Sequence, residues 1–176
     1  GTVFGPISSG GVTDDIIPVL SGTAAANALV TVLEAGKAIG STAADGSGNW
    51  TFTPNVPLFE GLHVFTATAT DAAGNTGSAS TDFTLTVDTI APETPVIAAS
   101  TGAQLTGTAE VGATVNLDLD GNGSIDTTTV ATDGTWTYTP PTRLADGATV
   151  IVSATDAAGN TSGTDSIIID RTAPAA

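Results

Sequence analysis

Val64-Phe65-Thr66-Ala67-Thr68-Ala69-Thr70-Asp71-Ala72-Ala73-Gly74-Asn75-Thr76 is the stretch on which the fold turns. Phe65, Ala67 and Ala69 alternate with Val64, Thr66 and Thr68, a period of two that marks a strand with one buried face. Asp, Gly and Asn then supply turn chemistry. The motif Asp71-Ala72-Ala73-Gly74-Asn75-Thr76 returns letter for letter as Asp156-Ala157-Ala158-Gly159-Asn160-Thr161. The strand pattern before it returns too, with Val150, Val152 and Ala154 alternating with Ile151 and Ser153.

Working outward, the same order holds on both sides. Leu20-Ser21-Gly22-Thr23-Ala24 recurs as Leu105-Thr106-Gly107-Thr108-Ala109, and Trp50-Thr51-Phe52-Thr53-Pro54 recurs as Trp136-Thr137-Tyr138-Thr139-Pro140. Asp88-Thr89-Ile90-Ala91-Pro92 returns as Asp170-Arg171-Thr172-Ala173-Pro174. Four matches at offsets of 82 to 86 residues define a tandem repeat. The expected domains are 1–88 and 89–176, with a connector near 88–95 whose steps Ala91-Pro92 and Thr94-Pro95 restrict the backbone.

Composition excludes several classes. The chain has 176 residues, 21 glycines, 9 prolines and 12% charged residues, which rules out a long-helix protein. Three Lys and Arg against 18 Asp and Glu leave a net charge of −15, a field that repels phosphate backbones and anionic membrane surfaces. Nucleic acid is not expected as a partner. With 40% hydrophobic residues the chain should still fold, although aromatics at 5% make the core thin. Absence of Cys removes disulfides, thiolate metal sites and Cys nucleophiles. Val150-Ile151-Val152 and Ile167-Ile168-Ile169, the longest apolar runs, fall far below the roughly 18 residues of a membrane span, so no direct membrane insertion is expected. The ends read as a piece of a longer protein.

Each copy divides into seven strand-like segments. The first gives 2–8 (A), 17–24 (B), 28–35 (C), 37–44 (D), 49–53 (E), 62–71 (F) and 80–87 (G). The second gives 95–99, 104–109, 113–119, 125–131, 135–139, 147–155 and 164–169. The fold expected is all-β, two tandem Ig-like sandwiches of about seven strands each.

Leu-Ser-Gly-Thr-Ala at 20–24, Asn49-Trp50-Thr51-Phe52-Thr53-Pro54, Ala67 to Asn75 and Asp88-Thr89-Ile90-Ala91-Pro92 together resemble the bacterial Ig-like repeats of giant biofilm-type surface adhesins. The resemblance covers both copies. It implies a non-enzymatic extender module, exported to the bacterial cell surface, whose partners are neighbouring repeats of the same chain. It also implies calcium between neighbouring domains.

In an Ig-like sandwich the AB, CD and EF loops share the end where strand G exits. Loops BC, DE and FG share the other. Asp14 and Asp15 (AB) with Asp88, and Glu93 of the connector, then point toward a junction that Glu110 (BC), Asp133 (DE) and Asp156 (FG) face from the next copy. Calcium takes six to eight hard oxygen ligands, several of them carboxylate, and this set can offer them. Asp71 and Asp170, the counterparts of Asp156 and Asp88 in the other copy, are also candidate metal ligands. The plainer reading is that Asp71 and Asp156 cap Asx-type turns ahead of Gly74-Asn75 and Gly159-Asn160.

A second acidic site is sharper. Asp118-Leu119-Asp120-Gly121-Asn122-Gly123-Ser124-Ile125-Asp126 carries oxygen side chains Asp118, Asp120, Asn122, Ser124 and Asp126 around a Gly at position 6, like the first nine positions of an EF-hand loop. Thr129 stands where the bidentate Glu belongs, and no helical periodicity flanks the loop. A hairpin whose Gly121-Asn122-Gly123 tip turns the chain accounts for it equally. The first copy makes the turn as Glu34-Ala35-Gly36-Lys37, without the acids.

Catalytic chemistry is not visible. His63 is the single histidine, and Ala148 occupies its place in the second copy, so neither a triad nor a zinc site is expected. Trp50 and Trp136 share parity with Phe52 and Tyr138 and are expected in the core, although exposed aromatics could stack on sugar. Lys37 has no counterpart, so no shared Lys cross-link staples the copies. Thr66, Thr68 and Thr70 form an outward ladder, ordinary for solvent-facing strands. A carbohydrate- or protein-binding Ig-like module is the alternative function.

Overall fold

The structure is a computed structural model that describes residues 8–172. The chain divides into two compact units, one ending at Thr89 and the next beginning at Ile90. The described residues form strands and no helix.

In the first domain the strands are β1 (Gly11–Thr13), β2 (Leu20–Thr23), β3 (Leu29–Glu34), β4 (Lys37–Ala43), β5 (Asn49–Phe52), β6 (Gly61–Thr70) and β7 (Phe83–Val87). They make a five-stranded sheet, β1-β7-β6-β3-β4, and a two-stranded one, β2-β5. The second domain has β8 (Val96–Ile97), β9 (Leu105–Thr108), β10 (Thr114–Asp118), β11 (Thr127–Val130), β12 (Thr135–Tyr138), β13 (Thr149–Thr155) and β14 (Asp165–Ile168). Its sheets are β11-β10-β13-β14 and β12-β9-β8. The core of the first domain joins Leu20 of β2 to Val30, Val32, Phe65, Leu85 and Val87 of the larger sheet. The second packs Ile97, Leu105 and Trp136 against Val115, Leu117, Val150 and Val152. Both domains are therefore β-sandwiches with one core each.

Every expected segment from 17–24 onward overlaps an observed strand. Residues 2–7 of segment A lie outside the described residues, and the first strand seen is β1, which runs parallel to β7 with Gly11 opposite Leu85 and Thr13 opposite Val87. Segments 37–44 and 125–131, assigned as D, pair with β3 and β10 in the larger sheets, as the hairpin turns read from the sequence require. The reason in the first domain is the turn. Ala35 and Gly36 both have positive φ, 47° and 79°, the pattern of a two-residue hairpin that returns the chain directly beside β3.

One contact explains why two of the repeated motifs travel together. Gly22 lies opposite Trp50 across the β2–β5 ladder, and Gly107 lies opposite Trp136 across β9–β12. A Cβ added at Gly22 would sit 2.6 Å from the Trp50 ring, and one at Gly107 would sit 2.7 Å from the Trp136 ring. The indole thus covers a bare backbone, which keeps it inside and spares the glycine from solvent. Trp136 is buried and donates its Nε1–H to the Thr108 carbonyl at 3.3 Å. Trp50 is half-buried, so the expectation of a core ring holds fully in one copy and partly in the other.

Ala35 carries a Cβ in the left-handed region, which costs about 1 kcal/mol. Ala35→Asn, giving the Asn-Gly pair this turn favours, is expected to stabilise the first domain by about 0.5–1 kcal/mol. Urea unfolding of the two-domain chain followed by circular dichroism checks this, and an unchanged midpoint would show that the turn holds no strain.

Candidate metal centre

The hairpin of β10 and β11 brings the sharper acidic site together. Among the described residues, Asp118, Asp120 and Asp126 form a group whose carboxylate oxygens lie within 4.8 Å of one another. Asp118 ends β10 and is buried at 7% exposure, while Asp120 and Asp126 are exposed. The loop wraps its backbone around Asp118. Oδ1 accepts from Gly121 N at 2.7 Å and Asp120 N at 3.3 Å, and Oδ2 accepts from Gly123 N at 2.8 Å. Asp126 Oδ2 accepts from Leu119 N at 2.7 Å, closing the loop's base.

The positive φ of Gly121 and Gly123, 70° and 88°, lets those amides point inward. Burial pushes the Asp118 carboxyl up, but N–H groups of Gly123, Gly121, Asp120 and Asn122 outweigh it and hold the carboxyl below its ordinary value. The group stays ionised with two acidic neighbours close by. Asn122 Oδ1 accepts from Ser124 N at 2.8 Å, and its Nδ2 donates to Asp120 Oδ2 at 2.9 Å. The turn reading and the cation reading therefore share one geometry: the loop folds on its own amides while leaving three carboxylates convergent. The donors are all hard oxygens, which suits calcium over a transition metal.

The remaining expected ligands are distributed by the sheets. In the first domain Asp14 and Asp15 follow β1 and Asp88 follows β7, and because those strands run parallel the three leave the same end. Asp88 N donates to the Thr13 carbonyl at 2.9 Å. Asp15 Oδ1 accepts from Ile17 N at 2.8 Å. In the second domain Glu110 follows β9, Asp133 precedes β12 and Asp156 follows β13. Asp133 is capped by Thr135 Oγ1 at 2.5 Å and Thr135 N at 3.1 Å.

Asp71 and Asp156 make the same turn. Asp71 accepts from Ala73 N, Asn75 N and Asn75 Nδ2 at 2.8–2.9 Å. Asp156 accepts from Asn160 N and Asn160 Nδ2, both at 2.9 Å. The plainer reading of these two as turn caps is thereby satisfied. Asp170 caps Thr172, through N at 2.9 Å and Oγ1 at 2.6 Å. The side chain of Asn75 holds Asp71 below its ordinary value, and the Thr135 and Thr172 hydroxyls do the same for Asp133 and Asp170.

His63 has a partner that the sequence did not disclose. It is buried, with Nδ1 at 2.5 Å from Glu34 Oε1 and Nε2 at 2.7 Å from the Phe59 carbonyl. The β3–β6 register, with Glu34 opposite Phe65, brings together residues 29 apart in sequence. The pair borders a hollow of about 310 Å³ that also includes Lys37, Asn55 and Phe59, and none of the residues lining it carries a hydroxyl or thiol. A carboxylate and an imidazole without a nucleophile make no triad.

A family model for the bacterial Ig-like domain matches residues 5–89, and one for the bacterial Ig domain matches residues 91–170. The chain belongs to the bacterial Ig-like family. Its two Ig-like domains also match solved structures. The fibronectin(III)-like modules of Clostridium thermocellum CbhA align over 94% of this chain and 91% of theirs, at 15% identity and a TM-score of 0.55, which reflects a shared fold. A biofilm associated protein, BSP domain, aligns over 93% of this chain at 24% identity and a TM-score of 0.43. A tetra-tandem repeat from the extending region of a large adhesion protein aligns over 94% at 25% identity and a TM-score of 0.40. The chain spans 29% of the first of these two and 48% of the second. No curated protein sequence matches it.

Because Asp118 is held below its ordinary value, it contributes stability that is complete above the unfolded-state value and is lost as pH falls through the folded one. Asp118→Ala removes charge-assisted bonds worth about 1–3 kcal/mol, more than the roughly 1 kcal/mol of solvent-screened repulsion it relieves. In metal-free buffer the variant is expected to destabilise the second domain at neutral pH, with the difference shrinking in acid. Urea midpoints across pH check this, and a more stable variant at neutral pH would show that repulsion dominates.

Proposed function

We propose that this chain is a pair of extender domains from a large secreted adhesin of the bacterial cell surface, stiffened by calcium and supporting adhesion and biofilm formation. The observation that carries the reading is the tandem itself: two bacterial Ig-like domains joined through residues 88–95, a connector containing Pro92 and Pro95. Short proline-bearing connectors limit the freedom between neighbours, the property an extender requires. The motifs shared with giant surface adhesins support the same role and the cell-surface location.

Calcium has two proposed places. Asp118, Asp120 and Asp126 would hold one ion, with Asn122 and Ser124 from the same loop. There it would neutralise three converging carboxylates in a chain of net charge −15. The other set is Asp14, Asp15 and Asp88 of the first domain with Glu110, Asp133 and Asp156 of the second, where a cation would restrict the connector. Free calcium at a hundredfold the dissociation constant would stabilise the bound form by about 2.7 kcal/mol, substantial for so thin a core.

A binding role rests on a different observation. Phe59 is 80% exposed beside the Glu34–His63 hollow, and an exposed ring near polar groups is what saccharide stacking uses.

Calorimetric titration with calcium separates the parts. The native chain is expected to bind, Asp118→Asn with Asp126→Asn to lose one equivalent, and Asp88→Ala with Asp156→Ala to lose another. Solution scattering with chelator should show a more flexible two-domain chain. No heat of binding and an unchanged scattering envelope would together reject the calcium-stiffened extender.

A further inference from the structure

His63 presents both of its ring nitrogens to acceptors. Nδ1 lies 2.5 Å from Glu34 Oε1, Nε2 lies 2.7 Å from the Phe59 carbonyl oxygen, and the ring is buried. A neutral imidazole carries one N–H and one lone pair, so it can donate to only one of the two. The carbonyl has no proton to give. The arrangement therefore holds one proton more than a neutral imidazole beside an ionised carboxylate, which a charged His63 paired with a charged Glu34 supplies.

Among the described residues, the charged groups facing the ring are Glu34 of β3 and the exposed Lys37 that opens β4, both of which line the hollow. The row of His63 across the sheet continues through Leu85 of β7 to Gly11 of β1. Asp14 and Asp15 leave β1 beyond Thr13, whose row meets Gly61 instead. Glu60 is engaged elsewhere: its Oε2 accepts from Thr89 N at 3.1 Å and from Thr89 Oγ1 at 2.9 Å. Phe59 and Glu60 thus link the buried ring to the head of the connector.

The second domain is a built-in control. By strand register and position, Leu119 and Ala148 take the places of Glu34 and His63, and both pack against the core. Yet Asp146 Oδ1 accepts from Arg171 N at 2.7 Å, a bond of the same kind as Glu60 to Thr89. Only the first domain joins such a bond to a titratable pair.

We propose that Glu34 and His63 form a proton-operated latch on the residues leading into β6, holding Thr89 when the shared proton is present and freeing it when the proton leaves. On that loss His63 keeps Nδ1–H, because a bond to a carboxylate is stronger than one to a carbonyl. Nε2 then turns a lone pair on the Phe59 oxygen, and an acceptor left without its donor is costly where water is scarce. Phe59 withdraws and takes Glu60 with it. Leu58 stays in the core, and Gly61, at φ 112°, serves as the joint. Because the geometry matches the protonated pair, the latch is closed in acid and opens as pH rises.

The lone histidine of the chain gives an unambiguous signal for the test. In nitrogen NMR spectra of the whole chain, both ring nitrogens are expected to carry protons in acid and to leave an Nδ1–H tautomer as pH rises across the imidazole range. In the same step the Thr89 amide, corrected for the intrinsic pH dependence of exchange, is expected to lose about tenfold in protection, the worth of one ordinary hydrogen bond, while Arg171 holds. A ring that loses its proton with Thr89 unchanged would overturn the proposal, as would a neutral Nε2–H tautomer. Glu34→Leu with His63→Ala installs the second domain's own pairing and is expected to leave Thr89 protection constant over that range. A step that persists in this variant would assign the effect to Glu60 and remove the latch.

Discussion

A tryptophan laid over a glycine of the neighbouring strand is the contact on which each domain depends. The core is built from Val, Leu, Ile and Ala, with few rings, and on the smaller sheets Trp136 is buried in it while Trp50 packs against it half-buried. Each ring can lie flat only because Gly22 and Gly107 offer no Cβ. The Leu-x-Gly-Thr-Ala and Trp-Thr-x-Thr-Pro motifs are two halves of one packing unit. Their joint recurrence follows from geometry rather than from any ligand.

Around that unit the hydrogen-bonded ladders position the acids. Strand β10 ends inside the sheet at Asp118, and its partner β11 begins one residue after Asp126. The carboxylates are therefore gathered by the hairpin's own closure. In the first copy the two-residue turn at Ala35-Gly36 leaves no loop in which acids could converge. The repeat thus keeps its sandwich and varies its hairpins, and the charge cluster belongs to the variable part.

Much of this was legible in the residues. Period-two alternation fixed the strands from segment B onward, and the repeated motifs identified equivalent places in two copies. Asp118, Asp120 and Asp126 were recognisable because their spacing is local. What escaped was long-range: the Glu34–His63 pair depends on the β3–β6 register. Period alone assigns a strand its faces and not its neighbours. The turn-capping roles of Asp71 and Asp156 were visible in the Asp-x-x-Gly-Asn pattern, since both partners lie within four residues.

The parallel pairing of β1 with β7 has a mechanical consequence. These are the first and last strands of the described first domain, so tension on its two ends would slide them past one another along their length. All the bonds between Gly11–Thr13 and Leu85–Val87 would bear that load at once, as shear, before any one could break. The second domain, whose opening strand β8 pairs antiparallel with β9, presents no such clamp among its described strands.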